Sequence, residues 1–373
     1  TNSDANSTQQ STFLSPGDDV AFTLSVPDDA TTNLYFSIRM RTGITWAAIG
    51  LGSSKMKGSL MLMMYASSSG TNVTLSPRLC SGHSEPIYSS EILIESLAGT
   101  GKLDNTTYLF NGRCSNCRSW ASGSVNVTST AQDFVYGIGP YGDLQSDDPN
   151  APLNYHEAYG GFTLDMTGAT GVGGVPVIGT ESAGTALVLS KTGKSDSEAM
   201  AHGIIMIICF VGVFPLGIVL LRLGNSVRWH LINQAIALVL TLVGTSLGMA
   251  ASTSYNRSSG FNTPHQILGL IVFLLVVTQF VIGYIHHRIF KRTQQTTKLA
   301  PVHVQLGRVA IPLGILVAFT GFPLALAPQS DITLAVVVIM AITLFFGSFF
   351  AQKYIWKRSR RGKGGVGEFH EMR

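Results

Sequence analysis

His202, His230, His265 and His303 stand at the ends of four consecutive apolar segments, and the ends alternate. If the segments run back and forth through a bilayer, His202 and His265 fall on one side and His230 and His303 on the other. Imidazole is a common ligand for iron. Two pairs at matched depth could therefore hold two bis-histidine haems, one near each face. A span of about 20 residues is roughly 30 Å long, and two haems would divide that crossing into short steps for electrons. One membrane histidine alone has a plainer reading, as a group snorkelling to the interface or bonded to a carbonyl. Four at paired depths favour ligation. In an antiparallel bundle, spans one and three are diagonal, as are two and four. Each pair would then face across the core, where helical bundles build their ligand sites.

Other residues could support these pairs. Gly269 and Gly307 each follow a histidine by four residues and share its helix face. They would leave room for a flat macrocycle, and close helix packing explains them equally well. His286 and His287 end the third segment and compete as inner ligands, although the basic stretch IHHRIFKR reads more simply as an interface. Arg308 lies about one turn inside the fourth segment, where it needs an anion such as a haem propionate. Arg228 precedes His230 and could serve in the same way. Both arginines also fit as positive-inside anchors.

The elements that must position these residues are membrane helices. At 373 residues the chain has room for about two domains. Its first half is rich in Ser, Thr, Asn and Gly, and from Ala201 onward it is apolar with charges confined to breaks. Five runs reach the about 20 residues a bilayer needs: 201–221, 230–251, 265–286, 302–327 and 332–353. Pro215, Pro312 and Pro323 lie within them, which bundled membrane helices tolerate. A net charge of +4 would suit a nucleic-acid partner. Much of the basic excess, however, lies in the breaks and in the tail after Ala351, a membrane pattern and not a nucleic-acid one.

Charge also sets the orientation. Arg222, Arg228, Arg288, Lys291, Arg292 and Lys298 lie in breaks on the side of the basic tail, whereas the opposite breaks carry only Arg257 and Asp331. The amino-terminal half is therefore expected outside and the carboxy terminus in the cytoplasm, with the plasma membrane as the expected host. Glycosylation sequons at Asn6, Asn72, Asn105, Asn126 and Asn256 all fall on the expected outer side. The chain opens on the polar stretch TNSDANSTQQST, so a translocated domain is expected to have lost a signal peptide.

With His202-Gly203 opening the first segment, Pro215 and Gly217 further along it, and the other three histidines following, the second half resembles the cytochrome b561 family. That resemblance implies two b-type haems in the same two diagonal pairs, and electron transfer across the membrane, often from cytoplasmic ascorbate.

The first half reads as all-β. In NLYFSIRMRTG the residues Leu34, Phe36, Ile38 and Met40 alternate with more polar neighbours, the period of a half-buried strand. Further strand candidates are VAFTLSV, TWAAIGLG, LMLMMYA, EILIESL, TTYLFNG, DFVYGIG and GGFTLDM, and many short strands of this kind suggest a two-sheet sandwich. Three motifs stand out: WAAIGLGSSKM, ending in Met56; RCSNCRSW, with Cys114 and Cys117; and YHEAYGGF, with His156. In this order they resemble the DOMON domain, in particular the cytochrome domain of fungal cellobiose dehydrogenase. The resemblance implies a third b-type haem held by Met56 and His156. Met61, Met63 and Met64 lie nearby as ordinary core fillers, and His83 is a spare histidine. Met/His ligation generally raises a haem potential, which would favour flow from the membrane haems outward.

The CxxC reads as a small disulfide in an oxidising compartment, with a dithiol or zinc site as the lesser alternatives. Cys80 is left over, and Cys209 lies inside the first segment. Residues 167–199 are rich in Gly, Thr, Ser and Ala and read as a flexible linker, of which VPVIG or TALVLS could instead pack on the sandwich.

The expected architecture is an all-β, DOMON-like sandwich (1–166), the linker (167–199), an all-α five-helix transmembrane bundle resembling cytochrome b561 (200–353), and a basic tail (354–373). The expected function is transmembrane electron transfer from cytoplasmic ascorbate. The acceptor would be an extracellular ferric chelate, quinone, radical or secreted redox enzyme. A ligand-binding or haem-sensing sandwich on a membrane anchor is the alternative. No G-x-G-x-x-G signature calls for flavin or nicotinamide.

Overall fold

The computed structural model describes residues 8–192, 196–327 and 330–364. The sequon at Asn6 and residues 365–373 of the basic tail lie outside the described residues. The chain divides into two compact units. One runs through Asp196 and takes in Thr253–Arg257, and the other holds the remainder.

The first unit is a β-sandwich. One sheet runs in the order β1 (Ser11–Leu14), β2 (Val20–Pro27), β3 (Leu34–Arg41), β10 (Thr107–Cys114) and β8 (Ile94–Ser96). The short strands β9 (Gly101–Lys102) and β15 (Thr170–Gly171) pair with β10 and β2. The second sheet runs β16 (Thr185–Thr192), β14 (Ala158–Leu164), β13 (Gln132–Ile138), β4 (Ala47–Leu51), β5 (Leu60–Ala66), β6 (Val73–Leu79) and β7 (Ile87–Tyr88). A hairpin of β11 (Ser119–Trp120) and β12 (Gly123–Ser124) stands apart from both.

Alternation along the strands makes the core. Phe22, Leu24, Phe36, Ile38 and Met40 from the first sheet meet Ile49, Leu62, Phe134 and Phe162 from the second. Phe13 stacks on Phe162 with ring centroids 3.7 Å apart. Burying such a side chain contributes about 1.5–3 kcal/mol, so this ring cluster is a main source of cohesion between the sheets.

The second sheet also has an apolar outer face. Trp46, Ala48, Met61, Met63, Tyr65 and Val135 alternate with the core residues and form a separate cluster with Cys80, Ala151 and Leu153.

The segment read as a linker is mostly part of the sandwich, which corrects that expectation. β15 pairs with β2, Ser37 Oγ donates to Pro176 O at 2.7 Å, and β16 pairs with β14 from Thr192 to Thr185. Hydrogen bonding to open sheet edges outweighs the Gly/Ser-rich composition. Only residues 193–196 separate the last strand from the first helix, so a swinging tether of about 30 residues does not exist.

The second unit is helical. Five helices are long and apolar enough to cross a membrane: Ser197–Arg222, Val227–Ser252, Pro264–Thr293, Leu299–Leu324 and Ser330–Gly347. The last continues as helix to Gly364. The first span contains a π-helical turn, Ile208–Val213, just before Pro215. The buried Asn233 side chain donates to Val213 O at 2.7 Å, satisfying backbone that the irregular turn would leave open. Span one packs on two and four, and span three packs on two and four. Spans one and three are therefore diagonal.

Candidate functional site

Each of the four membrane histidines lies in the first turns of its helix, and the helix starts explain why. Thr263 caps the third span in a capping box with Gln266, and Pro264 takes the first helical position, so His265 falls in the first turn. Because neighbouring helices are antiparallel, amino-terminal histidines alternate between two levels.

The structure brings them together in the two expected pairs. The His202 and His265 ring centroids are 6.0 Å apart at 89°. Those of His230 and His303 are 6.5 Å apart at 88°. A metal–nitrogen bond is about 2 Å, so two imidazoles on opposite sides of one metal have centroids roughly 6 Å apart. Both pairs have that separation.

Tautomer and orientation are set by reciprocal hydrogen bonds. His202 Nδ1 lies 2.7 Å from Gly244 O in span two, and His230 Nδ1 lies 2.8 Å from Gly217 O in span one. His265 Nδ1 lies 3.0 Å from Val317 O in span four, and His303 Nδ1 lies 3.1 Å from Gln279 O in span three. A carbonyl only accepts, so each Nδ1 carries the proton and donates. Each Nε2 then keeps its lone pair for a metal, the usual second contact of a metal-bound histidine. The residues present fit two bis-imidazole metal centres.

Sequence reasoning missed the glycines that seat these rings. A Cβ at Gly248 would lie 2.6 Å from His202 Nδ1, one at Gly283 would lie 2.6 Å from His303 Cε1, and one at Gly321 would lie 2.9 Å from His265 Cε1. They sit on the facing helices, at no fixed spacing from the histidines they serve. Of the two glycines singled out earlier, Gly269 has its nearest neighbour, Val317, 3.9 Å from an added Cβ. Gly307 is covered by the Gln279 amide, 2.8 Å from an added Cβ. That amide donates to His303 O at 2.8 Å.

The other candidates stand apart from the pairs. His286 Nδ1 bonds Thr297 Oγ1 at 2.8 Å, and His287 is half-buried beside it. Arg228 and Arg308 are exposed, and Arg308 reaches Gln305 Oε1 at 3.5 Å.

In the sandwich, Met56 and His156 border the covered outer face of the second sheet. Strand register lays small residues side by side there. Gly50 pairs with Val135, and Val135 with Gly161; in the next row Ala48 pairs with Gly137. Met61 and Met63 flank this floor on one side and Tyr159 on the other. An added Cβ at Gly50 would meet Met61 Sδ and Val135 Cγ1 at 2.5 Å, and one at Gly137 would meet the Trp46 ring at 3.3 Å, so neighbouring side chains lie over these small residues.

Met56 packs on the outer-face cluster from the loop after β4. That loop reaches over β14, with Ser54 Cβ 3.5 Å from the Cβ position of Gly161. It is closed by Ser59 N donating to Met56 O at 3.0 Å, with Gly58 at φ +86°. His156 enters β14 from the other direction, between the rings of Tyr155 and Tyr159 at 4.3 and 4.5 Å. A thioether and an imidazole are the side-chain types that ligate haem iron in Met/His sites. His83 is exposed, and Met64 points into the main core.

The RCSNCRSW motif serves the Met56 loop. Cys114 and Cys117 form a disulfide at the end of β10, and the chain continues into the hairpin carrying Trp120. The Trp120 indole donates to Gly58 O at 3.0 Å and fills the space beside Gly52, where an added Cβ would approach it to 2.7 Å. Cys80 and Cys209 are buried free thiols. Burial pushes the Cys80 thiol up to about 12, so it is an inert apolar filler.

A sandwich of this kind followed by a bundle with stacked imidazole pairs defines a membrane-linked cytochrome. The comparisons bear on its first half: residues 2–172 match the family model of the cytochrome domain of cellobiose dehydrogenase. Residues 188–289 match a domain of unknown function (DUF2427), a region associated with cytochrome b561. No curated protein matches the chain. Among solved structures, the cytochrome b domain of pyranose dehydrogenase from Coprinopsis cinerea is similar at 18% identity, over 43% of this chain and 83% of that one, with a TM-score of 0.39. The cytochrome domain of cellobiose dehydrogenase from Myriococcum thermophilum is similar at 16% identity, over 49% and 82%, with a TM-score of 0.33.

Proposed function

We propose that this chain carries electrons across a membrane, from a cytoplasmic reductant of the ascorbate class to an extracellular acceptor. The acceptor would be a ferric chelate, a quinone, a radical or a secreted redox enzyme. His230 and His303 would hold an inner b-type haem, His202 and His265 an outer one, and Met56 and His156 a third in the sandwich. Haem bound at these positions supplies an iron that takes up and releases one electron at a time. The protein holds each imidazole in one orientation, with Nε2 turned away from the bonded carbonyl, through the four Nδ1–carbonyl bonds. It also surrounds the pairs with apolar helix faces that exclude water. The basic breaks beside the inner pair, with Arg228 and Arg308, would attract an anionic reductant.

The observation that carries this reading is the separation of both histidine pairs, 6.0 and 6.5 Å between ring centroids, with every Nδ1 already engaged. Haem per chain, measured as the pyridine haemochrome, tests it. Wild type should bind three equivalents and His265→Ala two, with the sandwich haem retained. In sealed proteoliposomes with ascorbate trapped inside, an impermeant ferric chelate outside should be reduced by wild type and not by His265→Ala. A purified chain that stays colourless after haemin is supplied would refute the proposal.

A further inference from the structure

The sandwich contains an ion pair that the electron path does not use. Arg78 on β6 is 1% exposed, and its Nη1 lies 3.6 Å from Glu85 Oε1. Charges this far from water persist only where the rest of their hydrogen-bonding capacity is met. For Arg78 it is met by Ser76 Oγ and by one segment of backbone, residues 146–154, which crosses the outer face of the second sheet and leads directly into His156. Glu85 bonds the same segment through Oε1, and its Oε2 accepts from Asn256 N at 3.0 Å.

The attachment is regular. Thr74 Oγ1 donates to Ser146 O at 2.7 Å, Tyr65 OH to Asp148 O at 2.6 Å, and Ser76 Oγ to Pro149 O at 2.6 Å. Arg78 Nη2 donates to Pro149 O at 3.0 Å and to Ala151 O at 2.7 Å, while its Nε donates to Ser76 Oγ at 2.9 Å. Glu85 Oε1 accepts from Leu153 N at 2.8 Å, and Trp46 Nε1 donates to Asn154 O at 3.2 Å. Side chains from β5, β6 and their flanks thus hold this strap at short intervals up to the second residue before His156. Three charged side chains take part: Arg78 and Glu85 grip its centre, and Arg257 Nη1 donates to Leu153 O at 2.9 Å.

Two residues beyond Arg78, the same stretch of chain holds the turn that carries Met56. Cys80 O accepts from Gly58 N at 2.9 Å, and Cys80 N donates to Ser59 O at 3.2 Å. Gly58 and Ser59 close the turn that carries Met56. Residues 78–80 are therefore bonded on one side to the strap that delivers His156 and on the other to the loop that delivers Met56.

We propose that Arg78, braced by Glu85, is the positioning residue that fixes the span between Met56 and His156, and so keeps a metal macrocycle there six-coordinate. This rests on the assignment of those two residues as ligands. A six-coordinate Met/His iron leaves no open position for carbon monoxide, whereas one that has lost a ligand binds it.

The test uses the full chain in detergent, reconstituted with haemin, with two readouts. One is the carbon monoxide difference spectrum of the reduced protein, and the other is haem release to apomyoglobin. His156→Ala comes first. If it keeps as much haem as wild type, the ligand assignment itself is wrong and the role of Arg78 is refuted with it.

With that assignment sound, Arg78→Gln should make the sandwich haem reactive to carbon monoxide. It should also speed that haem's release by about tenfold or more, the usual effect of losing a group that orients a ligand, while the membrane haems are unchanged. Arg78→Lys, which keeps the charge but not the forked donor, should be intermediate, and it decides the matter if Arg78→Gln does not fold. Ile38→Val, in the core of the opposite sheet, lowers stability without touching the strap and should stay unreactive. Wild-type ligation in folded Arg78→Gln or Arg78→Lys would overturn the proposal. So would equal reactivity in Ile38→Val, because the effect would then be one of stability alone.

Discussion

The membrane histidines were legible because their information is linear. Depth follows from position along an apolar run, and pairing follows from the antiparallel order of spans. What seats them was not legible, because Gly248, Gly283 and Gly321 touch their imidazoles only once the helices are packed. The distinction can be tested. Gly283→Ala places a methyl group 2.6 Å from His303 Cε1 and 2.9 Å from its Nδ1. The ring must move, and because interiors are close-packed it cannot do so without loss. Gly283→Ala should therefore lose most of one haem equivalent, the inner one, in the pyridine haemochrome assay. Gly269→Ala, whose added methyl has its nearest neighbour at 3.9 Å, should keep all three. Equal haem content in the two variants would show that the glycine contact has no part in ligation.

Among the strands, those with clean alternation were readable. LMLMMYA became β5 without change, because one face enters the main core and the other enters the outer cluster. EILIESL shortened to Ile94–Ser96, held only at the edge against β10. β16 was read first as linker, with TALVLS as a segment that could pack on the sandwich; the second reading holds because pairing with β14 makes it a strand, and it still exposes Leu187, Val188 and Leu189 at that edge. The CxxC was recognisable as a disulfide, yet its purpose is visible only in space, where it leads into the hairpin whose Trp120 supports the Met56 loop. Closing so short a loop contributes about 2 kcal/mol in the chain-entropy account. Replacing Cys114 and Cys117 together by serine should lower sandwich stability by about that amount in urea unfolding followed by Trp fluorescence. A change below about 0.5 kcal/mol, inside the range of ordinary surface substitutions, would mean that the hairpin holds without it.

For the molecule as a whole, sidedness and the direction of electron flow rest on different properties of the chain. Asn72, Asn105 and Asn126 are exposed on the sandwich, so expression in a eukaryotic secretory host should give a chain that loses three N-linked glycans on enzymatic deglycosylation. An unmodified sandwich in such a host would place it on the side of the basic breaks and reverse the proposed orientation. Direction of flow is a separate matter of potentials. In the proposed assignment each membrane haem would have two imidazole ligands, whereas the sandwich haem would have an imidazole and a thioether. The weaker donor sulfur stabilises the reduced iron relative to the oxidised one, so Met/His ligation raises the potential. A spectroelectrochemical titration of the full chain should therefore find the sandwich haem, identified by its loss in His156→Ala, above both membrane haems. Outward delivery is then downhill over its last step. Should that haem titrate below the other two, the same ligands would make the sandwich the donor, and electrons would run from the outer domain into the membrane.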